Sequence, residues 1–216
     1  MTILKYFLTI IIPLLIILGN FQYLVSNPDF YNSLYQKSGA YQTFSQKEVE
    51  SITNNLFGYF RGKNQLDHNF FSNQAILHLT DVKKIINIAA NLFYSTFIIA
   101  ASIIVFLLFK KNQKKIFEAF LISSGFTFTA ILLTSSGLLR SFDFFFNTFH
   151  EFLFKNNLWM FTPDDNLIKL FPQRFFIEFA NQLALNIILT SLTLLLVSTI
   201  VLKIKNLIFE ISHYAN

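Results

Sequence analysis

An all-α polytopic membrane protein, with four transmembrane helices and two long helical extracellular connections, is the fold that three observations predict. Of 216 residues, 53% are hydrophobic and only 13% charged, where soluble domains carry about a quarter. Four apolar runs each reach the roughly 20 residues that a helix needs to cross a bilayer. Lysines gather at the ends of those runs rather than on one surface. The chain therefore reads as a single integral membrane domain, residues 1–216.

The first run, residues 3–24, exceeds a usual signal core, and no small-x-small cleavage site follows it. It is expected to be a retained helix, with a kink at Pro13. Residues 85–109 form the second span, closed by Lys110, Lys111, Lys114 and Lys115. Residues 116–139 form the third, rich in Ser, Thr and Gly, which favours close helix packing; Glu118 sits at its start. The fourth, residues 183–202, ends at Lys203 and Lys205. The net charge of +5 does not point to nucleic acid, because its lysines flank apolar runs. With no cysteine, disulfides, thiolate chemistry and Cys-based metal sites are excluded. So is a lipoprotein, which needs its own Cys to lipidate.

Basic residues also set orientation. The short segments beside Met1, between spans two and three and after span four hold the flanking lysines. The two long connections, residues 25–84 and 140–182, together balance at ten basic and ten acidic residues. Both termini are thus expected in the cytoplasm of a plasma membrane, and both connections on the outer face.

Ser45 and Glu48 make a capping box in the first connection. Val49, Ile52, Leu56 and Phe60 follow at helical spacing, with Gly62 as the stop. This amphipathic helix is suited to lie on the membrane or to pack on the second connection. Ser72 caps a helix that runs into span two and places His78 and Asp81 on one face. In the second connection, Thr162 to Asp165 reads as a turn with an Asp N-cap. A short helix at 167–170 follows, and Phe171-Pro172 leads to span four.

The stretch from Arg140 to Phe176 is too polar for a span and too aromatic for a solvated loop. On a helix stepping about 100° per residue, Arg140, Asp143, Asn147, His150 and Glu151 share one face and Phe residues take the rest. A polar stripe turned to a wet cavity is the expectation, and ionisable groups at membrane depth are usually functional. The unremarkable alternative is a structural Arg140–Asp143 pair with His150 as a cap. Of four histidines, His213 reads as a solvated tail residue and His68 as a loop residue. His78 and His150 both fall at the outer boundary. Asp81 is in reach of His78, and Asn147 is the nearer helical neighbour of His150.

Three chemistries could use histidines at a membrane boundary. A nucleophilic hydrolase wants Ser or Cys beside a His, and G-x-S-x-G is missing. A zinc-dependent lipid hydrolase could use His78, His150 and a carboxylate, but H-E-x-x-H is absent. General acid–base catalysis on a nucleophile supplied by the substrate asks least of the sequence. A non-enzymatic transporter or assembly subunit fits poorly, because ionisable groups are scarce in mid-span.

Ordered along the chain, His78-x-x-Asp81-Val82-Lys83, Arg140-x-Phe142-Asp143-x-x-Phe146-x-x-Phe149-His150, Trp159-x-x-x-Pro163 and Asp165-x-Leu167-Ile168-x-x-x-Pro172-x-x-Phe175-Phe176 resemble the lipoprotein intramolecular transacylase (Lit) family. One position departs: Ala75 stands where the family leads us to expect an acidic residue. The resemblance implies a bacterial plasma-membrane acyltransferase without cofactor or metal, read here as a monomer. Its substrate would be a diacylglyceryl lipoprotein, whose sn-2 acyl chain moves to the N-terminal Cys amine to give the lyso-form. His78 and His150 carry over as catalytic; Asp81, Arg140, Asp143 and Asn147 are read, from their positions beside them, as supporting. The Phe-rich wall suits acyl chains or plain lipid contact.

Overall fold

The computed structural model describes residues 1–138 and 141–214. These form nine helices: α1 Thr2–Val25, α2 Pro28–Ser38, α3 Ala40–Thr43, α4 Gln46–Phe60, α5 Asn73–Phe109, α6 Gln113–Leu138, α7 Phe142–Leu153, α8 Asn166–Leu170 and α9 Gln173–Tyr214. Four of them are long and apolar enough to cross a membrane: Thr2–Val25, Asn73–Phe109, Gln113–Ser135 and Gln173–Ile208. The chain is an all-helical, multi-pass membrane protein. Arg140 and Leu139, the end of the predicted third span, lie outside the described residues, as does the side chain of His213.

The chain divides into two compact units. One comprises Met1–Phe21, Ala90–Ser136 and Leu183–Asn216. Its core sets Leu8 and Ile11 of α1 against Ala100 and Leu107 of α5 and Ile116 and Ala119 of α6. Ile12 and Ile16 of α1 meet Ile187 of α9. Of the small hydroxyl residues that predict close packing in the third span, Ser123, Ser124 and Thr127 are buried, whereas Thr129 and Thr134 are exposed. Ser123 donates across to the Thr9 carbonyl at 3.0 Å, while Thr127 donates to the Ser123 carbonyl at 2.8 Å. Each hydroxyl thus finds an acceptor where lipid offers none. Glu118 is neutralised by Lys5, at 3.2 Å.

The other unit comprises Gln22–Ala89 and Gly137–Gln182. Ser45 accepts from the Glu48 backbone N–H and starts α4. Gly62 takes a positive φ of 73° just beyond its end. Val49, Ile52 and Leu56 are buried with Leu167, Leu170, Phe171 and Phe175. Of its two suggested surfaces, α4 therefore packs on the second connection. Tyr35 is fully buried there and its hydroxyl accepts from Thr53 at 3.0 Å. Ser72 caps α5 through the Ala75 N–H and donates to Asp165 at 2.7 Å. Asp165 in turn caps α8 through the Leu167 N–H.

Three elements exceed expectation, the shortest being the four-residue α3. Helix α2 was not foreseen, although Asn27 caps it, Pro28 opens it, Asp29 lies in its first turn and Gly39 closes it at φ +87°. Those are ordinary start and stop signals. Helix α9 begins at Gln173, ten residues before the apolar run, because Pro172 supplies a natural helix start. Gly58 sits inside α4 where a Cβ would collide with the Asn64 side chain. Asn64 folds back there, donating to the carbonyls of Asn55 and Gln65.

Candidate active site

The second unit brings His78 of α5 and His150 of α7 together. Their ring centroids lie 6.2 Å apart and the planes 29° from parallel. Both are buried, each 8% exposed. Aromatic rings enclose the pair. Phe154 lies 4.9 Å from His78 and 5.6 Å from His150. Phe161 meets His78 edge-on at 5.6 Å. Phe146 lies 4.1 Å and Trp159 4.9 Å from His150.

Local sequence explains the placement of His150. Phe142, Phe146 and His150 follow at four-residue intervals and share a face of α7. At 2.7 Å, Nδ1 of His150 faces the Phe146 carbonyl. A carbonyl can only accept, so Nδ1 carries the hydrogen and the neutral ring keeps its lone pair on Nε2. Burial holds the imidazole below its ordinary value near 6.5, against the opposing pull of that carbonyl. His78 is held differently, because its Nδ1 is buried with no hydrogen-bond partner.

The supporting residues sit differently from the expectation. Asp81 makes no hydrogen bond to the buried Nδ1 of His78 and acts on that ring through its charge alone. Its carboxylate takes Lys84 at 2.9 Å and the Asn156 amide at 3.0 Å. A cation three residues along the helix outcompetes an aromatic-walled imidazole for a half-buried carboxylate. Asn147 does not hold His150; it is exposed, and the Phe146 carbonyl takes that ring nitrogen instead. The polar stripe of α7 likewise faces outward, since Asp143, Asn147 and Glu151 are exposed while His150 joins the Phe ridge. Asp143 accepts from Gln173 at 2.8 Å; its expected partner Arg140 lies outside the described residues. His68 is an exposed loop residue, as its sequence suggests. Ala75 is fully buried in the core, so the missing acid is replaced by packing.

Sequence reasoning missed two polar side chains beside the pair. Gln74 donates to the carbonyls of Leu158 and Met160, at 3.1 and 3.0 Å. Asn156 joins Asp81 from 75 residues away. The one available signal is periodicity: Gln74, His78 and Asp81 are spaced four and three apart, one face of a helix. Among the described residues, no group of three or more His, Asp or Glu could hold a metal ion.

Four apolar helices of crossing length define a multi-pass membrane protein, and two buried imidazoles walled by aromatic rings mark its candidate site. The family model for the lipoprotein intramolecular transacylase Lit matches residues 6–176, and the chain belongs to that family. It is an acyltransferase. Solved structures share the fold. The membrane integral lipoprotein intramolecular transacylase Lit from Bacillus cereus is 22% identical, with a TM-score of 0.81 over 95% of this chain and 97% of that one. Variants of that protein with a histidine replaced by alanine or by arginine match at TM-scores of 0.78 and 0.72, also at 22% identity. They cover 95% and 94% of this chain and 94% of their own in each case. At this identity the likeness is one of fold. No curated protein matches the sequence significantly.

Proposed function

We propose that the protein moves the sn-2 acyl chain of a diacylglyceryl lipoprotein to the N-terminal Cys amine of the same molecule, by acid–base catalysis at His150 and His78. The observation that carries this reading is the hydrogen bond from Nδ1 of His150 to the Phe146 carbonyl, which leaves Nε2 as a base. The reaction balances without water or cofactor. The amine nitrogen bonds to the ester carbonyl carbon, and Nε2 of His150 takes the amine proton. The C–O bond to glycerol then breaks, and the imidazolium returns that proton to the departing oxygen. The products are an amide and an alcohol.

His78 supports the oxyanion. With Nδ1 unpartnered, the ring is better neutral with its hydrogen on Nε2, because an orphaned acceptor costs less than an orphaned N–H. That Nε2–H then serves as donor to the carbonyl oxygen as charge develops. Amine and ester belong to one substrate, so positioning replaces an encounter and can contribute roughly 7–11 kcal/mol. The Phe and Trp rings around the pair exclude water and suit acyl chains.

By the distribution of lysines, the termini are cytoplasmic and the site lies on the outer face; there the protein acts, on this reading, as a monomer on a lipoprotein in the outer leaflet. The test is fragmentation mass spectrometry of a purified, dually acylated lipopeptide incubated with the protein. An acyl group on the N-terminal amine, with one chain left on glycerol, is expected. A released fatty acid, or an unchanged lipopeptide, overturns the reading.

A further inference from the structure

We infer that Gln74 is a positioning residue of the histidine pair: its side-chain amide fastens the turn carrying Trp159, and so keeps that ring over His150. The inference rests on His150 being the base. Nε2 of Gln74 has two hydrogens, and each meets a backbone carbonyl, Leu158 at 3.1 Å and Met160 at 3.0 Å. Those carbonyls flank Trp159, so the residue between them is held from both sides. The indole lies 4.9 Å from the His150 ring, 31° from parallel.

Gln74 lies one helical turn before His78 on the same face of α5, and Asp81 lies one turn after it. Asp81 holds Asn156 at 3.0 Å, and Asn156 accepts from the Leu158 N–H at 3.1 Å. Residues 156–160 are thereby fastened to α5 at two points, one on either side of His78. Phe161, next along the chain, meets His78 edge-on. One strap thus sets a ring against each imidazole.

The amide is chemically specific in this role. Glutamate has the same shape but cannot donate, and it would set a carboxylate against two carbonyls. Leucine offers neither donor nor charge. Lysine restores N–H donors. The Trp159 face restrains the His150 ring alongside the Phe146 carbonyl and the Phe146 and Phe154 rings. Loss of the Trp159 contact opens one face of the ring and loosens the direction of Nε2.

Trp159 is the only tryptophan in the chain, so its fluorescence reports this contact without labelling. A charged imidazolium quenches a stacked indole, whereas a neutral imidazole quenches little. The wild type is expected to lose Trp159 emission as pH falls through the titration of His150, and His150→Ala to abolish that loss. Gln74→Glu and Gln74→Leu, compared at unchanged thermal midpoint, are expected to flatten the pH-dependent quench. They should also lower kcat for the lipopeptide by about 10- to 100-fold, as sub-ångström misplacement does. KM should stay within about threefold, because the loss falls on the transition state. Gln74→Lys is expected to recover both signals. Either donor-less variant, folded and keeping both the quench and kcat, overturns the inference, and so does a flattened quench with wild-type kcat. If His150→Ala turns over normally while Gln74→Glu still flattens the quench, the reading of His150 as base has failed and the tether has not.

Discussion

The acid side of the pH profile tests the chemistry most directly. His150 must be neutral to accept a proton, and burial places its ionisation below 6.5. The substrate α-amine must also be neutral, and it titrates near ~8. At pH 7 about a tenth of the amine is therefore neutral, while burial favours the basic form of His150. Turnover of a lipopeptide should fall with a slope of one in log rate per pH unit below about 8. It should steepen to two once pH passes below the ionisation of His150. His150→Ala should cost about 10²–10⁴-fold and erase the second break, leaving the amine's slope alone. Initial rates from N-acylated product, resolved by fragmentation mass spectrometry across pH 5 to 9, would read both features. A second break above 6.5, or a slope of two that survives His150→Ala, refutes the assignment. The sign extends to stability. A folded state whose histidine resists protonation binds fewer protons than the unfolded chain, so stability should decline as pH drops below 6.5.

Three further predictions concern the unit that holds the site. Tyr35→Phe removes the acceptor of a buried Thr53 hydroxyl and should cost about 1–3 kcal/mol in detergent unfolding. Gly58→Ala drives a methyl into the Asn64 side chain; it should open the 61–66 turn and cost about 1–3 kcal/mol, seen as faster hydrogen exchange confined to that turn. Ala75→Glu, which installs the acid that the family pattern leads one to expect, places a carboxyl at a fully buried position. It should lower the thermal midpoint rather than raise activity, since an unpaired buried charge is costly.

What could be read in advance was what is local. Ser45, Ser72 and Asp165 announce their helices because a cap bonds within three residues. The apolar runs announce the spans because length and composition suffice. Helix α7 was harder. Seven of its twelve residues are apolar, Phe or Leu, so buried Phe and exposed Phe look alike and a polar stripe seemed the meaningful face. The structure turns it the other way: Phe152 is 84% exposed while His150 is buried. The partner of Asp81 was not legible at all. Lys84 is a neighbour in sequence, but Asn156 arrives through the fold, and nothing in either local segment marks the meeting. The histidine pair was legible as two residues and the stretch 140–176 as aromatic; which of its rings meet the imidazoles was not, because Phe146, Phe154, Trp159 and Phe161 are selected by the fold.

Helix α5 runs unbroken for 37 residues, about 55 Å at 1.5 Å per residue, well beyond the roughly 30 Å of a hydrocarbon core. Its apolar run opens at Ile85, seven residues and about 10 Å along the axis from His78. Along α5 itself, the offset between His78 and the start of the apolar run is set by helix pitch. A thicker or thinner bilayer shifts the far end of the rod and leaves that offset alone. The ester of a lipid is anchored to the same near edge, between headgroup and chains. On the proposed function, His78 and that ester are then both referenced to one edge of the bilayer rather than to its thickness.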